Sequence, residues 1–258
     1  MHEVIASPRG GAELRVPAVG FGTWPLRGRQ CREAVVHALS VGYRHLDTAR
    51  MYRNEAEVGA GLRDSGLDRD EVLVVTKVRP GDADHAGVRR EVEASLRELG
   101  LDHIDLLLLH APSSVPVQET MAAFREQQEA GRVRHLGVSN VTVAGLERAM
   151  AQAPIACVQN EYRPGLDQQD VLAWCRDHAL AYVAYSPLDV SRSARRVLTE
   201  IGKRHGASWA QVAIRWLVQQ EQVATIPRSR DADHREQNLA ALDVELDAEE
   251  MARISALT

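Results

Sequence analysis

The feature that most constrains the fold is an alternation of short apolar runs with helix-forming segments along the whole chain. The runs at 72–75 (VLVV), 104–109 (IDLLLL) and 182–186 (YVAYS) lack the polar alternation of a half-exposed strand. Such runs are typical of strands that are covered on both faces in a parallel sheet. Eight strand-like runs end near Gly22, Asp47, Thr76, Leu109, Val138, Gln159, Tyr185 and Pro227. Eight repeats of strand and helix, about 30 residues each, predict an α/β fold of the (β/α)8 TIM barrel type.

The segments between these runs have the spacing of amphipathic helices. In the segment 86–100, one face carries Val88, Val92, Leu96 and Leu99. Gly100 follows this stripe as a stop signal. The segments 32–42 and 208–220 show the same kind of stripe. Further helices are predicted after the last strand, towards the C-terminus.

The N-terminal residues 2–17 are predicted to form a β-hairpin that turns at Gly10 and Gly11 and closes the floor of the barrel. No Pro- or Ser-rich linker divides the sequence, so residues 1–258 are predicted to form a single barrel domain. The alternative is an open, doubly wound sheet, which binds a dinucleotide at a GxGxxG turn. The stretches at 20–25 and 59–64 both lack the third glycine of that turn, which favours the barrel.

Composition narrows the functional class. Apolar residues make up 45% of the 258 residues, charged residues make up 26%, and the net charge is −5. These values are ordinary for a globular protein, and no basic block indicates nucleic acid or a membrane surface. No apolar run reaches the roughly 18 residues of a membrane span. Three widely spaced cysteines indicate free thiols, so we expect a cytoplasmic protein, and a monomer is the default expectation.

Polar residues stand at the predicted carboxyl ends of the strands, where a (β/α)8 barrel carries its catalytic groups. They are Asp47, Lys77, His110, Ser139, Asn140, Gln159 and Tyr185. Tyr52 follows Asp47 by five residues and is expected at the same rim. A free tyrosine has a pKa near 10, and the ammonium of Lys77 would lower it. Asp47 would hold Lys77 in place, and His110 would orient a substrate oxygen, which together make a proton-transfer site.

An ordered set of motifs resembles the aldo-keto reductases from about residue 16 to about residue 246. The motifs are GFGTW, GYRHLDTARMYRNEAEVGAGL, VTKV, DLLLLH, GRVRHLGVSN, AYSPL and IPRS. The resemblance implies a barrel that binds NADPH across its mouth and reduces an aldehyde or a ketone, a small-molecule carbonyl substrate. It also implies that Tyr52 is the acid, that Lys77 and Asp47 tune it, and that His110 orients the carbonyl.

The resemblance also implies a set of cofactor-binding residues. For the carboxamide they are Ser139, Asn140 and Gln159; for the nicotinamide ring, Tyr185; for the pyrophosphate, Ser186 and Leu188; for the 2′-phosphate, Arg228 and Ser229; for the adenine, Asn238. A guanidinium binds phosphate bidentately, so Arg228 in place of the more common lysine favours NADPH over NADH.

Several positions depart from the family pattern. His234 replaces a common arginine near the 2′-phosphate, and Gln237 replaces a common glutamate at the adenine, so NADH remains possible. Arg230 and Arg235 are candidates to compensate for the missing arginine.

The loop after Tyr185 departs from the pattern as well. Asp189 stands where a glycine is common, beside Arg192 and Arg195, which are expected in a loop too short to clamp the cofactor. Ala111 replaces a common tryptophan, which leaves Trp24 as the predicted wall of an open pocket for bulky or polar carbonyl compounds.

Other interpretations stay open from the sequence. Taken singly, Asp47 is read as a helix cap, His110 as a core histidine, and Ser139 with Asn140 as the cap of a helix at 142–150. The barrel as a whole is alternatively a redox-sensing or structural subunit that binds NADPH without turnover. A phosphosugar enzyme on an unrelated barrel would need a Gly-rich phosphate loop, which the stretches SPLDV and IPRSR do not supply.

Overall fold

The fold was obtained as a computed structural model that describes residues 2–257; Met1 and Thr258, the two ends of the predicted domain, lie outside the described residues. The strands are β1 (Glu3–Ala6), β2 (Leu14–Pro17), β3 (Phe21–Gly22), β4 (His45–Asp47), β5 (Leu73–Val78), β6 (Ile104–Leu109), β7 (Val133–Ser139), β8 (Ile155–Glu161), β9 (Ala181–Tyr185) and β10 (Val223–Thr225). The strands β3 to β10 lie side by side in chain order, each parallel to the next.

The sheet closes on itself between its first and last strands. Val19 forms a parallel bridge with Thr225, and the Thr225 N–H donates to the Ala18 carbonyl at 2.8 Å. At Gly22 a Cβ atom would lie 2.7 Å from the Ile226 carbonyl oxygen, so this close approach requires glycine. The structure is therefore a closed (β/α)8 barrel, as predicted, and the alternative of an open doubly wound sheet is wrong.

Each barrel strand is followed by at least one helix. The helices are α1 (Gly28–Ser40), α2 (Glu55–Asp64), α3 (His85–Leu99), α4 (Val117–Glu129), α5 (Val143–Met150), α6 (Gln169–Asp177), α7 (Arg192–His205), α8 (Trp209–Val218), α9 (Ala232–Leu239) and α10 (Ala248–Ser255). The last two follow β10, which confirms the predicted C-terminal helices. Gly100 ends α3 with a φ of +67°, a conformation that glycine adopts without strain. No helix within residues 2–257 has the length and apolarity needed to cross a membrane.

The burial of the strands explains their sequences. All six residues of β6 are buried. The side chains inside the barrel cover one face of the strand, and the surrounding helices cover the other. The hairpin of β1 and β2 is antiparallel, and its inward residues Val4, Ala6, Leu14 and Val16 join the apolar cluster inside the barrel. The hairpin thus closes the barrel floor, as predicted, and leaves the opposite rim for the site.

Candidate active site

The main cavity of the protein, of about 830 Å³, opens at the carboxyl ends of the strands. Among the residues that line it are the predicted site residues Trp24, Asp47, Tyr52, His110, Ser139, Asn140, Gln159, Tyr185, Ser186, Leu188 and Arg228. Barrel closure brings these positions together although they span most of the chain, because every strand ends at the same rim.

Lys77 is 1% exposed and lies next to Asp47 and Tyr52, two residues that line this cavity. Its ammonium nitrogen donates to Asp47 Oδ1 at 2.5 Å and to the Thr48 carbonyl at 2.9 Å. The third neighbour of the ammonium is the Tyr52 hydroxyl oxygen at 3.5 Å. A buried lysine needs partners for its charge, and here one carboxylate, one carbonyl and one phenol surround it.

The connection from β4 to α2 positions Tyr52. It contains a 3-10 turn over Arg50–Tyr52, which ends at Arg53 in the left-handed conformation with a φ of 55°. The buried side chain of Asn54 accepts a hydrogen bond from Thr48 Oγ1 at 2.7 Å and donates to the Leu26 carbonyl at 3.0 Å. These hydrogen bonds tie both ends of the turn to the barrel and so fix the direction of the phenol.

Burial and charge set the protonation of this pair. Burial alone would lower the pKa of Lys77, but the Asp47 carboxylate and Tyr52 outweigh it and raise that pKa. Burial raises the pKa of Tyr52; Lys77 lowers it, as expected from the sequence, but does not reverse the shift. At neutral pH the site therefore holds an ammonium beside a protonated phenol. The predicted lowering of the Tyr52 pKa is wrong, because burial outweighs the effect of Lys77.

His110 follows β6 and meets Tyr52 edge-on, with the ring centroids 5.7 Å apart. Burial and the charge of Lys77 lower the pKa of His110 to about 4, so its imidazole is neutral at pH 7. The Nδ1 atom is buried and has no hydrogen-bond partner among residues 2–257. The Asn140 side-chain amide donates to the His110 carbonyl at 2.8 Å and fixes the backbone at this point.

The residues assigned to the carboxamide connect directly to this group. Gln159 Nε2 donates to the second carboxylate oxygen of Asp47 at 2.8 Å. The Ser139 hydroxyl donates to the Gln159 carbonyl at 2.6 Å. Asn140, which has a φ of 60°, accepts from the Tyr185 hydroxyl at 2.6 Å. Asp47, Ser139, Asn140, Gln159 and Tyr185 therefore belong to one hydrogen-bonded network.

The interpretation of Asp47, and of Ser139 with Asn140, as helix caps is wrong. Both carboxylate oxygens of Asp47 are engaged by Lys77 and Gln159. The cap of α5 is Thr142, whose hydroxyl accepts from the Gly145 N–H.

No group of three or more His, Cys, Asp or Glu side chains within the described part of the chain has the arrangement of a metal site.

The residues predicted to bind the 2′-phosphate and the adenine divide into two groups. Arg228 lines the cavity, but Ser229 and Asn238 are not among its lining residues. Ser229 is buried, and its hydroxyl accepts from the Asp231 N–H at 3.0 Å. Asn238 is buried on α9. The structure thus brings Arg228 to the cavity wall and leaves the side chains of the other two buried away from it.

Arg235 does not compensate for His234. It is 5% exposed, and its guanidinium donates to His37 Nδ1 and to the Ser229 carbonyl, each at 3.2 Å. Its guanidinium is therefore engaged by neighbouring protein groups and does not line the cavity. His234 and Arg230 are exposed.

Several further residues line the cavity without having been assigned to the site from the sequence, among them Met51, Arg195 and Trp209. Arg195 was expected in a short loop, but it belongs to the first turn of α7, which begins at Arg192. Its guanidinium carbon lies 4.0 Å from the centre of the Trp209 ring of α8, and no local sequence signal encodes such a contact between two helices. Met51 could have been found from the sequence, because it directly precedes Tyr52.

The family of the protein follows from comparison with known sequences. Residues 18–258 match the Aldo/keto reductase family. The chain therefore belongs to this family, and the resemblance found in its motifs is confirmed. Membership also excludes the alternative of a phosphosugar enzyme on an unrelated barrel.

Individual relatives cover nearly the whole chain. It is 37% identical to the 9,11-endoperoxide prostaglandin H2 reductase of Trypanosoma cruzi, over 95% of this chain and 88% of that protein. It is 35% identical to the methylglyoxal reductase DkgB of Escherichia coli O157:H7, over 95% and 94%. A crystal structure of the thermostable aldo-keto reductase Tm1743 with the inhibitor epalrestat superimposes with a TM-score of 0.91 at 32% identity, covering 98% of this chain and 99% of that one.

Proposed function

We propose that the protein reduces an aldehyde or a ketone to an alcohol with NADPH as the hydride donor and Tyr52 as the proton donor. One observation carries this proposal. The ammonium of Lys77 lies 2.5 Å from Asp47 Oδ1 and 3.5 Å from the Tyr52 hydroxyl, and both of these partners line the main cavity. A charged lysine held beside a protonated phenol is suited to stabilise the phenolate that remains after proton transfer.

The residues around the cavity fit a nicotinamide dinucleotide. The amides of Asn140 and Gln159 match the hydrogen-bonding groups of a carboxamide, and the ring of Tyr185 offers a stacking face. Arg228 offers the bidentate donors that suit a phosphate. A volume of about 830 Å³ lies within the usual range for ligand sites. These features support NADPH, with Ser186, Leu188, Ser229 and Asn238 proposed to complete the binding site.

The side chains have distinct roles in the proposed reaction. NADPH, when bound, supplies the hydride that the carbonyl carbon receives. Tyr52 gives its proton to the carbonyl oxygen, which completes the alcohol, and Lys77 stabilises the resulting phenolate. Neutral His110 donates a hydrogen bond that orients the carbonyl oxygen, while Asp47 keeps Lys77 charged and in place.

The proposal also covers the domain organisation, the oligomeric state and the cellular location of the protein. We infer that residues 1–258 form one barrel domain, because the predicted alternation of strand and helix runs along the whole sequence. We also infer a monomer in the cytoplasm. The three cysteines are buried free thiols, which is in keeping with a reducing compartment.

The substrate is proposed to be a polar carbonyl compound, and the open pocket is proposed to admit bulky ones as well. A relative is named as a methylglyoxal reductase. The walls beside Tyr52 are open, since the side chains of Trp24 and Met51 are 51% and 50% exposed. An open wall with few aromatic contacts favours a broad substrate range.

The test is to follow the absorbance of NADPH with methylglyoxal and a panel of aliphatic and aromatic aldehydes, and to measure NADPH binding separately. We expect turnover with at least one aldehyde. Tight binding of NADPH without consumption across the panel would contradict the proposal and favour a redox-sensing barrel. Failure to bind NADPH would contradict both.

A further inference from the structure

Among the residues that line the main cavity, two carry a guanidinium group, Arg228 and Arg195. The proposed reaction uses the first and leaves the second without a role. Arg195 is exposed, and its side chain forms no ion pair or hydrogen bond with residues 2–257. An arginine at a cavity wall without an anionic partner has its full set of donors available for a ligand.

Trp209 holds this arginine in place. The guanidinium carbon of Arg195 lies 4.0 Å from the centre of the Trp209 ring. Trp209 is partly buried against the main hydrophobic core and is the first residue of α8, whose cap is Ser208. Stacking on a fixed aromatic face orients the guanidinium and leaves its N–H edges free. The arginine therefore loses less conformational entropy when it binds an anion.

The position of the pair within the chain indicates which anion it meets. Tyr185 ends β9, and Arg228 follows β10 in the neighbouring position of the barrel. The helices α7 and α8, which carry Arg195 and Trp209, form the connection between these two strands. A dinucleotide with its nicotinamide at Tyr185 and its 2′-phosphate at Arg228 must place its diphosphate between those two ends.

We propose that Arg195, stacked on Trp209, binds the diphosphate of the dinucleotide; this inference rests on the proposed function. A diphosphate offers paired oxygens that match the planar donors of a guanidinium. The arrangement also accounts for Asp189, which lines the same cavity and would repel a diphosphate. A cation that also lines the cavity offsets that repulsion. Arg195 is thus a binding residue that distinguishes a dinucleotide from a nucleotide without a diphosphate.

The helix supplies a matched control. Arg196 is the next residue on α7 and is also exposed, but it does not line the main cavity. The variants Arg195→Met and Arg196→Met therefore remove the same charge from the same helix, and only the first removes it from the cavity. The variant Arg195→Lys keeps the charge and loses the planar, stacked geometry.

The experiment measures dissociation constants by calorimetry for two probes, NADP⁺ and adenosine 2′-monophosphate, which has the 2′-phosphate and no diphosphate. Arg195→Met is expected to weaken NADP⁺ binding about tenfold and to leave adenosine 2′-monophosphate unchanged. Arg195→Lys is expected to recover part of that loss, and Arg196→Met to change neither probe by more than about twofold. Arg228→Met is expected to weaken both.

Two results would overturn the inference while leaving the proposed function intact. Unchanged NADP⁺ binding in Arg195→Met would mean that the arginine does not contact the cofactor. Equal weakening of both probes would place Arg195 at the 2′-phosphate or the adenosine. If the unaltered protein does not bind NADP⁺, both the inference and the proposed function are wrong.

Discussion

At the scale of single residues, the surroundings rather than the residue types decide the charge of the site. His110 has a pKa of about 4 because it is partly buried and lies near Lys77. Tyr52 has a raised pKa because it is largely buried, although Lys77 opposes the shift. Both groups are therefore protonated for donation at neutral pH, the imidazole on one nitrogen and the phenol on its oxygen.

Because His110 is neutral at assay pH, its titration is not expected to appear in the pH dependence of kcat/KM. Because its pKa of about 4 lies below the assay range, the kcat/KM for carbonyl reduction is expected to show no break near 6.5 between pH 5 and 8. The measurement is the pH dependence of kcat/KM in the unaltered protein and in His110→Gln. A break near 6.5 that disappears in the variant would mean that His110 titrates in its ordinary range.

The positions of several site residues could be predicted from the sequence, and their environments could not. Asp47 and Lys77 lie at the carboxyl ends of β4 and β5, and His110 directly follows β6, so barrel topology alone places them at one rim. Arg235 shows the limit. Its sequence position suggested a surface arginine near a phosphate, but packing of α9 buries the guanidinium against His37 of α1 and the Ser229 carbonyl. Burial of this kind arises from contacts distant in sequence.

At the scale of structural elements, the 3-10 turn that carries Tyr52 is held from behind by a buried ion pair. Glu55 has no exposed surface; it forms an ion pair with Arg50 and accepts a hydrogen bond from Thr76 Oγ1 at 2.6 Å. Arg50 also contacts Glu98 of α3 at 2.9 Å. Thr76 directly precedes Lys77 in β5, so this network joins the turn that carries Tyr52 to the strand that carries Lys77.

Removing Arg50 tests this support. Arg50→Met leaves the buried carboxylate of Glu55 without its cation, so the free energy of unfolding is expected to fall by about 3 kcal/mol. The turn loosens as well, and kcat is expected to fall about tenfold because Tyr52 is less well positioned. The measurements are denaturant unfolding and steady-state kinetics. Arg53→Met, on the exposed side of the same turn, is the control; equal effects of the two variants would contradict a specific role of the ion pair.

The helices show which elements the sequence predicts well. α3 was predicted from its apolar stripe and from Gly100, because both signals are local. The start of α7 was read as a loop, since its first residues are polar and charged. That helix forms because Ser191 caps it and because Ala194, Leu198 and Ile201 are buried along one face. Its amphipathic pattern becomes clear only when the packing partner is known.

At the scale of the whole molecule, the closed barrel encloses a histidine. His45 has no exposed surface, and neither ring nitrogen has a hydrogen-bond partner among the described residues. Burial lowers the pKa of His45 from 6.5 to about 4. The neutral ring is compatible with the barrel interior, whereas the charged ring is not.

Stability is expected to depend on pH through His45. Between pH 6.5 and 4 the unfolded chain binds a proton at this residue and the folded protein does not. The free energy of unfolding therefore falls as the pH drops through this window, by up to about 3 kcal/mol, and the full stabilisation is present above pH 6.5. Denaturant unfolding at several pH values should show a shallower slope for His45→Asn. Parallel pH dependences of the variant and the unaltered protein would contradict the assignment.

The central claim is that Tyr52 donates the proton in carbonyl reduction, and one variant tests it most directly. Tyr52→Phe keeps the ring between Trp24 and His110 and removes only the hydroxyl. The turnover number and the dissociation constant of NADPH are to be measured on the same preparation. The account predicts that turnover falls by about 10²- to 10⁴-fold while the dissociation constant stays within about twofold. Unchanged turnover would contradict it, because another group would then protonate the carbonyl oxygen.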